Sequence, residues 1–83
     1  MKTFKDLEFF WDFNIDRARL NFKNDYGISV ITGKHAYSDS EHPYECAVLY
    51  KDSITYNTHI TSDVIGYCNE EMVTDIMKEI QEL

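Results

Sequence analysis

The segment Tyr44-Glu45-Cys46-Ala47-Val48-Leu49-Tyr50 carries the clearest strand pattern in the chain. Its residues from Cys46 to Leu49 are apolar without interruption, which is typical of a strand that is covered on both faces. Such a strand lies in the interior of a sheet. Residues 44–50 are therefore predicted to form a central strand, with neighbouring strands supplied by the sequence on either side.

The sequence before this strand predicts a β-hairpin. Residues 17–23 alternate polar and apolar side chains, with Ala18, Leu20 and Phe22 on one face. Residues 24–27 predict a turn in which Gly27 adopts a positive φ, followed by a second strand at residues 28–32. The polar residues 33–43 contain the only proline and predict an exposed loop.

The sequence after the central strand predicts a fourth strand and a short connector. Residues 51–53, Lys-Asp-Ser, predict a turn, and residues 54–60 alternate apolar or aromatic with polar side chains. Residues 61–63, Thr-Ser-Asp, are then expected to cap a single helical turn at residues 64–67. This connector leads to the C-terminal segment.

The C-terminal segment predicts an amphipathic helix of about four turns. Asn69 is a good N-cap residue, and the apolar side chains form one stripe: Met72, Val73, Ile76, Met77, Ile80 and Leu83. An apolar helix face needs a sheet to cover it. The predicted fold is therefore α+β, a four-stranded antiparallel meander with the helix packed on one face, in a single domain of residues 1–83.

Residues 3–13 allow two predictions. Thr3 and Asp6 have the spacing of a capping box and favour a short helix with Phe4 and Leu7 turned inward. The alternation of Leu7, Phe9, Trp11 and Phe13 with polar neighbours instead favours an extended segment. Three adjacent aromatic residues at positions 9–11 cannot all enter one small core, so at least one is expected at the surface or in a partner contact.

The charge composition bears on which partners are expected. Fifteen acidic and eight basic residues give a net charge of −7, which disfavours a nucleic-acid partner. No run of about 18 apolar residues and no signal-peptide pattern is present, so no membrane partner and a cytoplasmic location are expected. Catalytic and zinc-binding spacings are absent from the sequence, so neither an enzyme nor a cofactor is expected. Cys46 and Cys68 are expected to remain reduced thiols.

The predicted helix concentrates negative charge on its outer face. The carboxylates of Glu71, Asp75 and Glu79 lie at positions i, i+4 and i+8 and therefore follow one line along the helix. Each pair of like charges at this spacing costs a helix about 0.2 to 0.5 kcal/mol. This cost is compatible either with a docking face for a basic protein or with a solvated face that keeps the protein in solution. The residues predicted to bind a protein partner are Trp11, Asp63, Glu70, Glu71, Asp75, Glu79 and Glu82.

Three segments, at residues 26–30, 44–49 and 54–67, resemble short uncharacterised acidic proteins of bacteriophages and prophages over residues 17–83. Small acidic phage proteins without enzymatic motifs often inhibit host machinery, including CRISPR effectors with basic nucleic-acid channels. The resemblance therefore implies an anti-CRISPR type of inhibitor that occludes a basic protein surface in the host cytoplasm. The alternative is a structural or assembly protein that forms a homodimer through its aromatic N-terminus or a sheet edge.

Overall fold

The computed structural model describes all residues, 1–83, and has the α+β architecture that the sequence predicts. One antiparallel sheet carries a single C-terminal helix on one face. A 3₁₀ turn at Phe4–Asp6 precedes the sheet. The elements are β1 (Phe10–Asp12), β2 (Ile15–Asn21), β3 (Tyr26–Gly33), β4 (Tyr44–Tyr50), β5 (Ser53–Ile54), β6 (Ile65–Cys68) and α1 (Glu70–Gln81).

The strands form a meander in which each strand pairs with the next, from β1 to β5. The sixth strand, β6, also pairs with β4 and occupies the part of its edge that β5 leaves free. Tyr44 therefore pairs with Cys68, whereas Tyr50 at the other end of β4 pairs with Ser53. This arrangement confirms residues 44–50 as a central strand.

The main core lies between the sheet and α1, where the inward stripe of the helix meets alternate residues of β3 and β4. Its fully buried members are apolar: Ile28, Val30, Cys46, Val48, Cys68, Val73, Met77 and Ile80, with Ile76 nearly so. Met72, which the sequence placed in this stripe, is instead 39% exposed. Met72 lies beside the row of buried helix residues and not within it, so the predicted apolar stripe contained one residue that is not part of the core.

The outer face of the sheet, opposite α1, is covered by long polar side chains instead of a second layer. Arg19 in β2 reaches Asp52 in the turn after β4, with its guanidinium nitrogen 3.1 Å from the Asp52 carbonyl oxygen. The side-chain amide of Asn21 lies 3.5 Å from the Asp52 carboxylate. Both side chains cross β3 on this face, where Leu49 is fully buried although no helix covers it.

Gly27 permits this crossing, and its role differs from the predicted one. It lies inside β3, paired with Asn21 and Leu49, and the residue with positive φ in the preceding turn is Asp25, at 70°. A Cβ atom at position 27 would lie 2.6 Å from both the Leu20 carbonyl oxygen and the Asn21 side-chain oxygen. The glycine is therefore needed for space and not for its backbone conformation.

Residues 3–13 combine both predicted conformations. The Asp6 carboxylate accepts a hydrogen bond from the Thr3 N–H at 2.8 Å and holds the short 3₁₀ turn. The chain then extends, and Phe4 and Phe9 pack with Tyr44, with ring centroids 5.1 to 5.8 Å apart. Strand β1 follows, with Phe10 and Trp11 exposed.

The predicted fourth strand over residues 54–60 is wrong beyond Ile54. The hydroxyl oxygens of Thr55, Thr58 and Thr61 each accept a hydrogen bond from the backbone N–H two residues later. These local bonds compete with strand pairing, because threonine offers the backbone an alternative partner. The alternating pattern therefore ends in a series of turns along the edge of β4.

The predicted helical turn at residues 64–67 is also wrong, since Ile65–Cys68 forms β6. The irregular register between β4 and β6 leaves one extra residue on the β6 side, and Tyr67 there adopts a φ of 56°. Its N–H donates to the Tyr37 carbonyl oxygen at 2.8 Å. The 33–43 loop thus supplies a partner for β6 that the local sequence does not reveal.

Candidate protein-binding surface

The outward surface of α1 carries an acidic strip formed by Glu71, Asp75, Glu79 and Glu82. Asn69 begins the helix, with its side-chain oxygen accepting the Met72 N–H at 2.8 Å. This cap fixes the helix start, and the burial of the apolar stripe fixes its rotation. All four carboxylates are consequently exposed to solvent.

No carboxylate of the acidic strip lies within 4 Å of a cationic side chain, because every ion pair in the molecule is elsewhere. Lys78, the single basic residue of α1, is three residues from Asp75 and four from Glu82, which places it beside the strip. Lys5 faces the same helix from the 3₁₀ turn across a shallow groove of about 510 Å³. These two lysines reduce the negative potential along one border of the strip.

Glu70, which the sequence placed with the other helix acids, lies apart from the strip. It is in the first turn of α1, on the side that faces the 3₁₀ turn and Tyr44. Burial raises the pKa of the Tyr44 hydroxyl, and the nearby negative charge of Glu70 raises it further. Glu70 therefore borders the groove, which Glu71 and Asp75 of the strip also line.

Asp63 belongs to the irregular segment between β5 and β6 and not to the helix. Its carboxylate accepts the N–H of Val64 at 2.7 Å, and its carbonyl oxygen accepts the hydroxyl of Thr61 at 2.8 Å. The side chain is exposed, but its hydrogen bonds are local. The structure thus places Asp63 in a different element from the acidic strip.

Trp11 lies in β1, at the opposite margin of the sheet from β5 and β6. Helix α1 packs mainly on β3, β4, β6 and the 3₁₀ turn, so Trp11 and the acidic strip do not form one continuous element. Trp11 is instead part of an aromatic hairpin tip that also includes Phe10 and Phe13. These three side chains are 69%, 54% and 85% exposed, respectively.

Phe13 was missed as a candidate surface residue, although the sequence carried a signal for it. Phe13 and Asn14 form the two-residue turn between β1 and β2, with φ values of 48° and 70°. Positive φ at both central residues matches the type I′ hairpin turn, which normally prefers asparagine or glycine. A phenylalanine flanked by two strand segments at this spacing is therefore unusual.

Several carboxylates outside α1 differ from those of the acidic strip because they have partners. Asp12 lies 3.7 Å from Arg17, and Asp52 lies 3.4 Å from Arg19. Asp39 accepts hydrogen bonds from two backbone N–H groups in its own loop. The bond from the His42 N–H is the main cause of the lowered pKa of Asp39.

Cys46 and Cys68 are free, buried thiols on neighbouring strands. The neighbouring Cys68 thiol, together with burial, raises the pKa of Cys46. No group of three or more histidine, cysteine or acidic side chains is close enough together to hold a metal ion. The larger of the two surface grooves, about 760 Å³, is open and bordered mainly by polar residues near Lys2, Lys23 and Gln81.

No protein-family model matches this chain, and searches of curated proteins and of solved structures also give no match. The structure has no helix with both the length and the apolar character needed to cross a bilayer.

Proposed function

We propose that this protein is a binding module that docks on a basic surface of another protein through the acidic strip of α1. The observation that carries the proposal is that no carboxylate of the acidic strip has a cation within 4 Å, whereas Asp12 and Asp52 on the sheet side each pair with an arginine. Like charges at i and i+4 destabilise a helix, so this arrangement does not serve α1 itself. A cationic partner would remove the repulsion.

The electrostatics favour a protein partner that presents several positive charges in a row. Glu71, Asp75 and Glu79 follow one line along α1, and successive members are about 6 Å apart at a rise of about 1.5 Å per residue. A net charge of −7 adds a long-range attraction that accelerates encounter with a basic surface. Because exposed charges are screened within about 10 Å at 0.1 M salt, the association is expected to weaken as salt increases.

Within this class, we propose an inhibitor of a bacterial defence complex, with a CRISPR effector as the specific target. The resemblance of residues 17–83 to phage and prophage proteins supports this context. Such effectors hold nucleic acid in a positively charged channel, which is the kind of surface that the acidic strip complements. The mechanism is occlusion: the protein occupies a basic site in the host cytoplasm and prevents nucleic acid from entering it.

A competition experiment tests this proposal with a purified, guide-loaded CRISPR effector. Fluorescence anisotropy follows the release of labelled target DNA as the protein is added, at low and at high salt. The wild-type protein is expected to displace the DNA at low salt. The triple variant Glu71→Lys, Asp75→Lys and Glu79→Lys is expected to compete at least tenfold less well, since each lost contact contributes about 0.5 kcal/mol.

A matched control distinguishes the effect of where the charges lie from the effect of the net charge of the protein. The variant Glu8→Lys, Asp16→Lys and Glu41→Lys makes the same change in net charge at exposed acids outside α1. It is expected to retain most of the competition. Equal losses in the two variants would mean that net charge, and not the strip, governs binding, and an absence of competition by the wild type would reject the CRISPR effector as the target.

A further inference from the structure

The tip of the β1–β2 hairpin places an apolar side chain where both the backbone and the solvent disfavour it. Phe13 has a φ of 48° and is 85% exposed. Bulky residues rarely adopt positive φ because the Cβ atom crowds the backbone, and a turn of this type accepts asparagine or glycine more readily. Nothing within the chain covers the ring, so the strain brings no contact inside the monomer.

The exposed aromatic surface at this tip is large enough for a homodimer. A fully buried aromatic side chain covers about 150 to 250 Å². At their observed exposures, Phe10, Trp11 and Phe13 together present roughly 300 to 500 Å² on one molecule. Two such tips facing each other would bury roughly 600 to 1,000 Å² of aromatic surface in total, and the adjoining backbone brings this to the lower limit for a specific interface.

The backbone of β1 is also free to pair along its outer edge. Asp12 pairs with Ile15 on either side of the two-residue turn, and Phe10 pairs with Arg17. In an antiparallel hairpin, these positions exchange hydrogen bonds with the partner strand, so the N–H and C=O groups of Trp11 between them point away from β2. No lysine or proline in β1 protects this edge.

We propose that the occupant of the aromatic tip is a second copy of this chain, joined by antiparallel pairing of β1 with its symmetry mate. This inference concerns a surface other than the acidic strip and does not depend on the proposed function. A two-fold axis at Trp11 sets the two Trp11 residues opposite each other and lets their backbones exchange two hydrogen bonds. The same register brings Phe13 of each copy beside Phe9 of the other.

The two-fold register gives Trp11 and Phe13 aromatic partners that they lack in the monomer, and it sets Phe10 opposite Asp12 of the other copy. Phe9 already packs with Phe4 and Tyr44, at centroid distances of 5.8 Å, and forms the end of this partly buried aromatic cluster. Phe13 of the second copy would extend this cluster across the interface. The acidic strips remain free in the dimer, because α1 packs mainly on β3, β4, β6 and the 3₁₀ turn.

The oligomeric state of the full chain tests this inference, measured by sedimentation equilibrium over a wide concentration range. The wild type is expected to show a reversible monomer–dimer equilibrium. Phe13→Gly is expected to weaken the dimer at least tenfold while raising the thermal midpoint of the monomer, because glycine accepts the positive φ without strain. Trp11→Lys places a charge on the edge strand and is expected to weaken the dimer by a similar factor.

Tyr37→Ser is the control, because it removes a large exposed aromatic side chain, 61% exposed, from the 33–43 loop. It is expected to leave the dimerisation constant unchanged. If the wild type stayed monomeric at every concentration, the inference would be overturned, and a second copy of this chain would not be the occupant of the aromatic tip. A dimer that Phe13→Gly and Trp11→Lys leave intact would also overturn it, since another surface would then hold the two copies together.

Discussion

The outer face of the sheet and the outer face of α1 are both charged surfaces, yet they use charge differently. On the sheet, Arg19 crosses a neighbouring strand to reach Asp52. On the helix, Glu71, Asp75 and Glu79 have no cation within 4 Å. Charge on the sheet therefore acts as part of the packing, whereas charge on the helix is available to a partner.

The largest expected loss of unfolding free energy comes from a substitution at Gly27, on the outer face of the sheet. Gly27→Ala would place a methyl group 2.6 Å from the Leu20 carbonyl oxygen and the Asn21 side chain. The variant is expected to lose about 1 to 3 kcal/mol of unfolding free energy, as in other overpacked sites. Urea denaturation measures the loss.

The double variant Gly27→Ala with Asn21→Ala serves as the control for this loss. It is expected to recover part of the stability, because one of the two close contacts has been removed. A neutral effect of Gly27→Ala alone would contradict the view that polar side chains pack tightly over β3.

A smaller effect is expected from Arg19, which contributes both its alkyl chain and its charge. Arg19→Ala is expected to lower the unfolding free energy by about 1 kcal/mol, and Arg19→Met by less, because methionine retains apolar cover. Thermal denaturation in parallel with Lys23→Ala, an exposed lysine without an ion pair, provides the comparison. Equal stability of all three variants would show that Arg19 is only a solvated side chain.

Removing a negative charge from the helix should raise the unfolding free energy slightly, in contrast to the losses expected at Gly27 and Arg19. Glu79 lies four residues after Asp75 and three before Glu82, near the negative end of the helix dipole. Glu79→Gln is expected to raise the unfolding free energy by about 0.3 kcal/mol, and this gain should shrink at high salt. Asp52→Asn is expected to lower the unfolding free energy under the same conditions. If Glu79→Gln and Asp52→Asn shifted the unfolding free energy in the same direction, the distinction between the helix face and the sheet face would be refuted.

The smallest effect is expected at Asp39, whose carboxylate is satisfied within its own loop. Hydrogen bonds from the His42 and Glu41 N–H groups hold its pKa below the ordinary value of 3.8. Since the folded pKa is lowered, the stabilisation is present above the unfolded pKa and disappears as pH falls through the folded value. The unfolding free energies of wild type and Asp39→Asn should therefore differ slightly at neutral pH and become equal in acid. An NMR titration of the Asp39 carboxyl group can check the lowered pKa.

The regular parts of the fold could be predicted because their patterns are local. The unbroken apolar run at residues 46–49, the alternation at residues 17–23 and the cap at Asn69 each indicate an element that the structure contains. The failure at residues 54–60 has an equally local cause. Threonine side chains there bond to nearby N–H groups, and a count of alternating residues does not register that competition.

The candidate surface was only partly predictable for a different reason. The spacing of the helix acids fixes their common line, so Glu71, Asp75 and Glu79 could be grouped from the sequence. Their lack of cationic neighbours depends on where Arg17 and Arg19 find their partners, which the sequence does not specify. Asp63 and Trp11 were predicted as binding residues as well, but the structure places them in other elements than α1, and only the packing of those elements decides where they lie relative to the strip.

The α+β class, the central strand, the helix and the negative charge of its outer face follow from the sequence alone, because periodicity and local capping act over a few residues. Long-range packing was needed to place β6 at the edge of β4, to bring Arg19 to Asp52, and to leave Phe13 exposed at a hairpin tip. These features depend on contacts between residues distant in the chain. Such contacts are selected by how well whole elements pack together, which no local pattern encodes.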